Sequence, residues 1–149
     1  MTQENKQLLL IDLCGRLPYG VKVAIEYTKG KYTRIYDLRE IDNDVTSEVR
    51  QRVTIWNYGF YSSVVSYPLI ECRPYLRTMS SMTEEEYKSV SWEGCSHTYN
   101  YSSESGFRFI EIKTFTLNIL NWLNAHHFDY RNLIPRGLAL KASENMYKQ

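Results

Sequence analysis

The chain of 149 residues has the length of one domain, and we treat residues 1–149 as a single domain. Its hydrophobic content of 43% and charged content of 23% are those of an ordinary globular protein, which excludes a disordered or low-complexity chain. The formal net charge of +1 excludes a general electrostatic attraction to nucleic acid or to acidic membranes.

The N-terminal sequence carries no export signal. Its only apolar run, residues 8–11, is shorter than the roughly 7–15 apolar residues of a secretory signal. No segment approaches the roughly 18 apolar residues of a membrane-spanning helix. The cysteines Cys14, Cys72 and Cys95 are odd in number and have no CxxC spacing, which argues against a disulfide framework and a zinc knuckle. We therefore expect a cytoplasmic protein without membrane contact.

Along the chain, the first predicted element is a helix with one buried stripe. Its apolar residues have the spacing i, i+3, i+4 and i+7: Leu10, Leu13, Cys14 and Leu17. Cys14 on this stripe is expected to behave as a small buried hydrophobe. Pro18 and the residues around it end the helix in a turn.

From residue 21 the apolar period changes to two, which predicts β-strands. The expected strands cover residues 21–27, 31–42, 49–57 and 64–72, and Pro68 confines the last of these to a sheet edge or a bulge. Turn signals at Lys29-Gly30 and Asn43-Asp44 connect consecutive strands. Short connections predict an antiparallel meander, which can curl into a small SH3-like barrel.

Three further elements complete the predicted fold. The sequence Thr83-Glu84-Glu85-Glu86 is a capping box that begins a second helix, which we expect to end at Gly94. A strand at residues 107–113 and an amphipathic helix at residues 115–126 follow, and the polar residues 141–149 are expected to fray. The result is an α+β fold in which an N-terminal and a C-terminal helix pack on the meander.

Three segments of the sequence are familiar: LCGRLPYGV at residues 13–21, PYLRTMSSMTEEE at residues 74–86 and LNAHHFDYRNLIPRGLAL at residues 123–140. Together they resemble a family of uncharacterised small proteins from gut anaerobes and their bacteriophages. The resemblance implies a protein encoded by a phage or mobile element. It implies no activity, cofactor or catalytic residue.

The densest group of potential metal ligands and acid–base groups is His126, His127 and Asp129. Adjacent helical residues lie about 100° apart, and the i, i+4 spacing of HExxH is absent, which counts against shared coordination of one ion. Structural histidines, a metal or catalytic site, and a partner contact at His127 and Tyr130 all stay open. If Asp129 orients one imidazole, we expect the pKa of that histidine to be raised.

Tyrosine is unusually abundant, with 13 residues against 3 Trp and 5 Phe. Residues 57–67 and 96–106 combine it with Ser, Asn and Gly, which is the composition of antibody binding loops. This pattern predicts recognition loops with four candidate binding residues: Tyr58, Tyr61, Tyr99 and Tyr101. The alternative is that these rings cover the sheet and leave only their hydroxyls in water.

No nucleophile elbow, phosphate loop or dinucleotide fingerprint occurs in the sequence, and we expect no cofactor. Acidic residues are interleaved with the arginines and no basic stripe emerges, which disfavours nucleic-acid binding. The expected function is a non-enzymatic interaction module for a protein partner or for a second copy of itself. The alternatives are a small metal protein or enzyme at the histidine pair, and a weak nucleic-acid-binding module.

Overall fold

The computed structural model describes residues 1–27, 32–43, 51–58, 62–102 and 106–147, and its fold is α+β as expected. The helices are α1 (Gln3–Arg16), α2 (Glu84–Lys88) and α3 (Leu117–Ala125). The strands are β1 (Lys22–Tyr27), β2 (Tyr32–Asn43), β3 (Gln51–Tyr58), β4 (Ser62–Pro68), β5 (Cys72–Leu76), β6 (His97–Ser102), β7 (Gly106–Ile112) and β8 (Leu140–Lys141). Short 3₁₀ turns lie at Leu17–Tyr19, Leu69–Glu71 and Met79–Ser81.

Six of the strands form one sheet in the order β4-β3-β2-β1-β5-β8. The first four pair antiparallel in sequence order, so the predicted meander is confirmed. Pro68 lies in β4 at the sheet edge, where its missing N–H removes no ladder hydrogen bond on the open side. The hairpin turn at Lys29-Gly30 lies outside the described residues, and so does Asp44 of the second turn.

The sheet is not closed among the described strands, so the possible SH3-like barrel is not confirmed. The segment that we predicted as one fourth strand divides into β4 and β5, because the 3₁₀ turn Leu69–Glu71 interrupts it after Pro68. β5 then pairs with β1, with Val23 opposite Pro74, and β8 adds to β5 in parallel. β4 and β8 are therefore the two edges of this sheet.

Helix α1 packs on the sheet through a different stripe from the one predicted. The buried stripe keeps the i, i+3, i+4, i+7 spacing but begins one residue earlier: Leu9, Asp12, Leu13 and Arg16. Leu10 is also buried, whereas Cys14 is exposed, so its expected burial is wrong. The prediction was wrong because Asp12 and Arg16 lie on the inner face of the helix. A pattern of apolar residues at helical spacing does not include charged residues.

The other helices are shorter than expected. The capping box of α2 is confirmed: the Thr83 hydroxyl accepts from the Glu86 amide, and the Glu86 carboxylate accepts from the Thr83 amide. The helix nevertheless ends at Lys88, not at Gly94. α3 begins after Thr116, whose hydroxyl accepts from the Ile119 amide at 3.4 Å. Within the described ranges, no helix has the length and apolar character needed to cross a membrane.

The C-terminal segment is packed, so the expected fraying from residue 141 does not occur over Lys141–Tyr147. Leu140 and Lys141 pair with β5, and the amide of Ala142 donates to the carbonyl of Leu76 at 2.8 Å. The hydroxyl of Tyr147 donates to the carbonyl of Tyr75 at 2.7 Å. The polar composition of this segment predicted no ordered structure, because neither the backbone pairing with β5 nor the contacts of Tyr147 depend on apolar residues.

Two apolar clusters make up the core. The first joins α1 to β1 and β5, and the second lies around α3 and the segment before α2. The turn after α3 connects them, because the Arg77 amide donates to the His127 carbonyl at 2.8 Å and the Asp129 amide donates to the Arg77 carbonyl at 2.7 Å. This turn carries the histidine pair that the sequence singles out.

Candidate functional site

The tyrosine-rich segments are mostly strands, not the expected loops. Tyr58 ends β3, and residues 62–67 belong to β4. Tyr99 and Tyr101 lie in β6, opposite Phe109 and Phe107 of β7. Tyrosine favours strands, which explains the backbone course. The side chains of Tyr58, Tyr99 and Tyr101 and the whole of Tyr61 lie outside what the structure describes, so the recognition surface stays a prediction.

The histidine pair lies in the turn that ends α3, not within the helix. His126 is the C-cap residue, and its Nδ1 atom lies 2.9 Å from the Trp122 carbonyl oxygen. Its ring stacks on the Trp122 indole with centroids 4.1 Å apart. His127 follows with a left-handed backbone conformation, φ 58°. These contacts direct the two imidazoles into different surroundings.

His127 is the most unusual polar residue of this turn. Its side chain is 4% exposed, and its Nδ1 atom is buried without a hydrogen-bond partner among the described residues. Burial, followed by the nearby positive charges of Arg16, His126, Arg77 and Lys22, lowers the pKa of His127 to about 4. The imidazole is therefore neutral at physiological pH.

Asp129 does not orient either imidazole. Its Oδ1 atom accepts from the Leu133 amide at 2.7 Å, and its Oδ2 atom accepts from the Ile134 amide at 2.8 Å. The condition for a raised histidine pKa, an aspartate that orients the imidazole, is therefore not met, and the pKa of His127 is lowered instead. Among the described residues, which include all three candidates, no group of three His, Cys, Asp or Glu could hold a metal ion.

Tyr130, the other proposed contact residue of this turn, is half-buried between two guanidinium groups. Arg16 lies 5.4 Å and Arg131 lies 5.0 Å from the centroid of its ring, both within cation–π range. Its hydroxyl donates to Asn124 Oδ1 at 2.9 Å and lies 3.2 Å from Arg131 Nε. Tyr130 thus stabilises the turn.

A buried ion pair on α1 contacts the turn that follows α3. Arg16 and Asp12 are both fully buried on α1, with Arg16 Nε 2.7 Å from Asp12 Oδ2. A second Arg16 nitrogen, Nη2, donates to the Phe128 carbonyl at 2.7 Å, which fixes the turn to α1. Our sequence interpretation missed this pair, although its i, i+4 spacing of opposite charges was visible.

A pocket of about 850 Å³ opens beside His127. Its walls are the turn at His126 and His127, the start of β1, residues 77–86, and the C-terminal residues 141–147. The aromatic ring of Tyr147 covers His127, with ring centroids 3.8 Å apart and an interplanar angle of 24°. The pocket therefore joins four segments that are far apart in the sequence, and of its residues only the histidines had been singled out as site candidates.

Three cations from three segments line the pocket: Lys22, Arg77 and Lys141. Lys22 lies 2.8 Å from Asp37, and the guanidinium of Arg77 binds both carboxylate oxygens of Glu86. Burial raises the pKa of Glu86, but the hydrogen bonds from Arg77 and Thr83 outweigh it and hold that pKa below its ordinary value. Lys141 makes no ion pair within the part of the chain that the structure describes.

The pocket lining combines apolar surface with charged and polar side chains. Hydrogen bonds that shape the walls engage the side chains of Glu86, His126 and the nearby Asp129, whereas the Nδ1 atom of His127 has no partner among the described residues.

Comparison of the chain with family models, with curated proteins and with solved structures found no match.

Proposed function

We propose that this protein is a non-enzymatic binding module that takes a polar group of its partner into the pocket around His127. The observation that carries the proposal is the ring nitrogen of a side chain that is 4% exposed, lines the pocket and has no hydrogen-bond partner among the described residues. Buried polar atoms in native proteins nearly always have a partner. A ligand that hydrogen-bonds to His127 supplies one.

The rigidity of the pocket supports binding as its role. Three separate contacts hold its walls in place: Arg77 with Glu86, His126 with Trp122, and Tyr147 with the backbone of β1 and β5. A site that is formed before its ligand arrives loses little conformational entropy on binding. The half-buried, hydrogen-bonded walls therefore favour specific capture of one group.

The tyrosine-rich hairpins extend this proposal to a protein partner or to a second copy of the chain. Their composition supports it, since Tyr offers a large contact area at low entropic cost and Ser and Asn supply adaptable hydrogen bonds. We propose that Tyr58, Tyr61, Tyr99 and Tyr101 provide area while the pocket provides specificity.

We also propose a reducing compartment, the cytoplasm, as the site of action. All three cysteines are free thiols, and Cys14 is exposed on α1. Free thiols persist where glutathione and thioredoxin keep them reduced. The resemblance to small proteins of gut anaerobes and their phages is in keeping with this location.

The proposal is tested by thermal unfolding of the full chain in the presence of a panel of neutral and charged polar compounds and blocked dipeptides. A compound at about 100 times its Kd stabilises the folded state by about 2.7 kcal/mol, which raises Tm by several degrees. His127→Asn keeps a residue that tolerates the left-handed backbone but removes the imidazole, and we expect it to lose the response.

Asn132→Asp is the matched control. Asn132 also has a left-handed backbone, φ 57°, but is exposed and lies outside the pocket lining. We expect this variant to respond as the original chain does. An equal response of the two variants would place binding elsewhere, and a panel without any stabilising compound would contradict the proposed function.

A further inference from the structure

We infer that the pocket beside His127 is an oxyanion site, which binds a phosphate-, sulfate- or carboxylate-type group and takes up a proton when it does so. The inference rests on the proposed function, because it names the chemistry of the group that the pocket receives. It depends on three observations: where the cations lie, which polar atom is unpartnered, and which charges act on that atom.

The cations come from separate segments of the chain and line the same pocket. Lys22 opens β1, Arg77 follows β5, and Lys141 ends β8. Lys22 and Arg77 are partly neutralised by Asp37 and Glu86, whereas the exposed ammonium of Lys141 has no ion pair within the described ranges. An oxyanion in the pocket therefore meets an ammonium group that is not yet engaged.

His127, whose Nδ1 atom is buried without a partner among the described residues, lines the same space. Imidazole offers an N–H donor from either ring nitrogen, and both nitrogens donate in the charged form. Oxyanions are strong acceptors, so an oxygen of the ligand gives His127 the partner that the described residues do not provide. Hydroxyl-bearing residues of the lining, Thr78 and Ser143 among them, add further donors.

The charges that lower the pKa of His127 are cationic and belong to four different parts of the fold. Arg16 acts from α1, Lys22 from β1, Arg77 from the end of β5 and His126 from the same turn. The carboxylates near these groups are each held by a partner: Asp12 by Arg16, Asp37 by Lys22, Glu86 by Arg77 and Asp129 by two backbone amides. Glu144 lines the outer pocket, and the Tyr147 ring lies against the imidazole.

This arrangement couples anion binding to proton uptake. Burial, and after it the surrounding cations, lowers the pKa of His127 and keeps the imidazole neutral in the free protein. A bound anion offsets those cations and favours the charged imidazolium, so the pKa of His127 rises in the complex. By linkage, the affinity for the anion must increase as pH falls toward the pKa of the complex.

The test is calorimetric titration of the full chain with sodium sulfate, which keeps its charge across this pH range, at constant ionic strength adjusted with chloride. We expect saturable binding that is about three- to tenfold tighter at about pH 5.5 than at about pH 7.5. Lys141→Gln should weaken binding several-fold and keep the pH dependence. His127→Asn should weaken binding and abolish the pH dependence.

Lys113→Gln is the matched control for Lys141→Gln, because Lys113 is exposed and lies outside the pocket lining. It should bind sulfate as the original chain does. The inference is overturned if Lys141→Gln and His127→Asn both bind sulfate as tightly as the original chain. It is also overturned if neither sulfate nor acetate, used as a carboxylate probe, shows saturable binding. If neutral compounds of the panel bind while these anions do not, the inference fails and the proposed function stands.

A second arm separates the two sources of the group. Inorganic phosphate is compared with a blocked tripeptide that carries phosphoserine. Tighter binding of the peptide assigns the oxyanion to a partner chain, and equal binding assigns it to a free ion. Both results support the oxyanion site, and absence of binding by both probes contradicts it.

Discussion

Tyr147 joins the buried imidazole of His127 to the sheet. Its ring lies on the imidazole with centroids 3.8 Å apart, and its hydroxyl accepts from the Lys22 amide at 3.0 Å and donates to the Tyr75 carbonyl at 2.7 Å. Burial is the main cause that raises the pKa of Tyr147 to about 12, so the phenol stays protonated and keeps donating. One residue near the C-terminus thus covers the candidate site and ties it to β1 and β5.

Replacing Tyr147 should separate its two contributions. Tyr147→Phe removes both hydrogen bonds and keeps the stacked ring, and we expect it to lower the free energy of unfolding by about 1–3 kcal/mol. Tyr147→Ala also removes the ring, and a loss of about 3 kcal/mol or more is expected. Urea unfolding measures both values. Tyr19→Phe is the control, because Tyr19 lines the same pocket but is exposed; equal stability of Tyr147→Phe and the original chain would contradict the bonding role.

The low pKa of His127 should make folding stability depend on pH. The folded-state pKa of about 4 lies below the ordinary value of 6.5, so the unfolded chain binds this proton more readily. Above about pH 6.5 the imidazole is neutral in both the folded and the unfolded chain, and its titration does not affect stability. As the pH decreases from about 6.5 to about 4, protonation of the unfolded chain lowers the free energy of unfolding by up to about 3 kcal/mol. Urea unfolding across this range measures the effect.

In His127→Asn this part of the pH dependence should disappear, because asparagine does not titrate. The comparison is made as a difference between variant and original chain at each pH, which removes the contribution of the carboxylates that both share. An unchanged slope in the variant would show that the His127 imidazole titrates normally in the folded protein.

The buried pair of Asp12 and Arg16 should show strong coupling. Asp12→Leu leaves a fully buried guanidinium without its carboxylate, and Arg16→Leu leaves the carboxylate with Arg131, at 3.4 Å, as its one ion-pair partner among the described residues. Each single change should cost about 3–5 kcal/mol of stability. The double variant should cost clearly less than the sum, and a double-mutant cycle of unfolding free energies measures the coupling. Additive losses would mean that the two side chains act independently.

Gly15 should resist replacement although it lies within a helix. A Cβ atom at this position would lie 3.1 Å from Nδ2 of Asn124, which is buried on α3. Asn124 cannot move freely because its Oδ1 atom accepts from Tyr130. We expect Gly15→Ala to lower stability by about 1 kcal/mol, since the displacement of Asn124 outweighs the better helix propensity of alanine.

The double variant Gly15→Ala with Asn124→Ser tests this reason. The shorter side chain removes the close contact, so adding Gly15→Ala to the Asn124→Ser background should no longer reduce stability. If Gly15→Ala costs the same in both backgrounds, the contact with Asn124 is not the cause.

Local sequence signals predicted the elements that depend on neighbouring residues. The capping box at Thr83 and Glu86 occurs as expected, because the two side chains and the two amides lie within one turn. The alternation from Val21 onward predicted β1, and short connections predicted the meander. These features depend on contacts between residues close in sequence, which spacing alone specifies.

Signals of the same kind were wrong where distant residues compete. Apolar periodicity placed Cys14 on the inner face of α1, but Arg16 takes that face, where two of its nitrogens donate to Asp12 and to the Phe128 carbonyl. The polar residues from Lys141 onward indicated a frayed tail, but β5 offers them a strand edge and Tyr147 finds two backbone partners.

The sequence by itself determined the α+β class, the meander of the first four strands, the capping box of α2 and the histidine pair as candidate site residues. Only the tertiary structure decided the open sheet, the burial of Asp12 and Arg16 against the turn at Phe128, and the pocket, because each depends on contacts between segments far apart in the sequence. The environment of His127 illustrates the reason: its pKa is set by burial and by charges on α1, β1 and the end of β5. Burial and charge–charge interactions depend on distances in the folded structure, which the spacing of residues in the sequence does not specify.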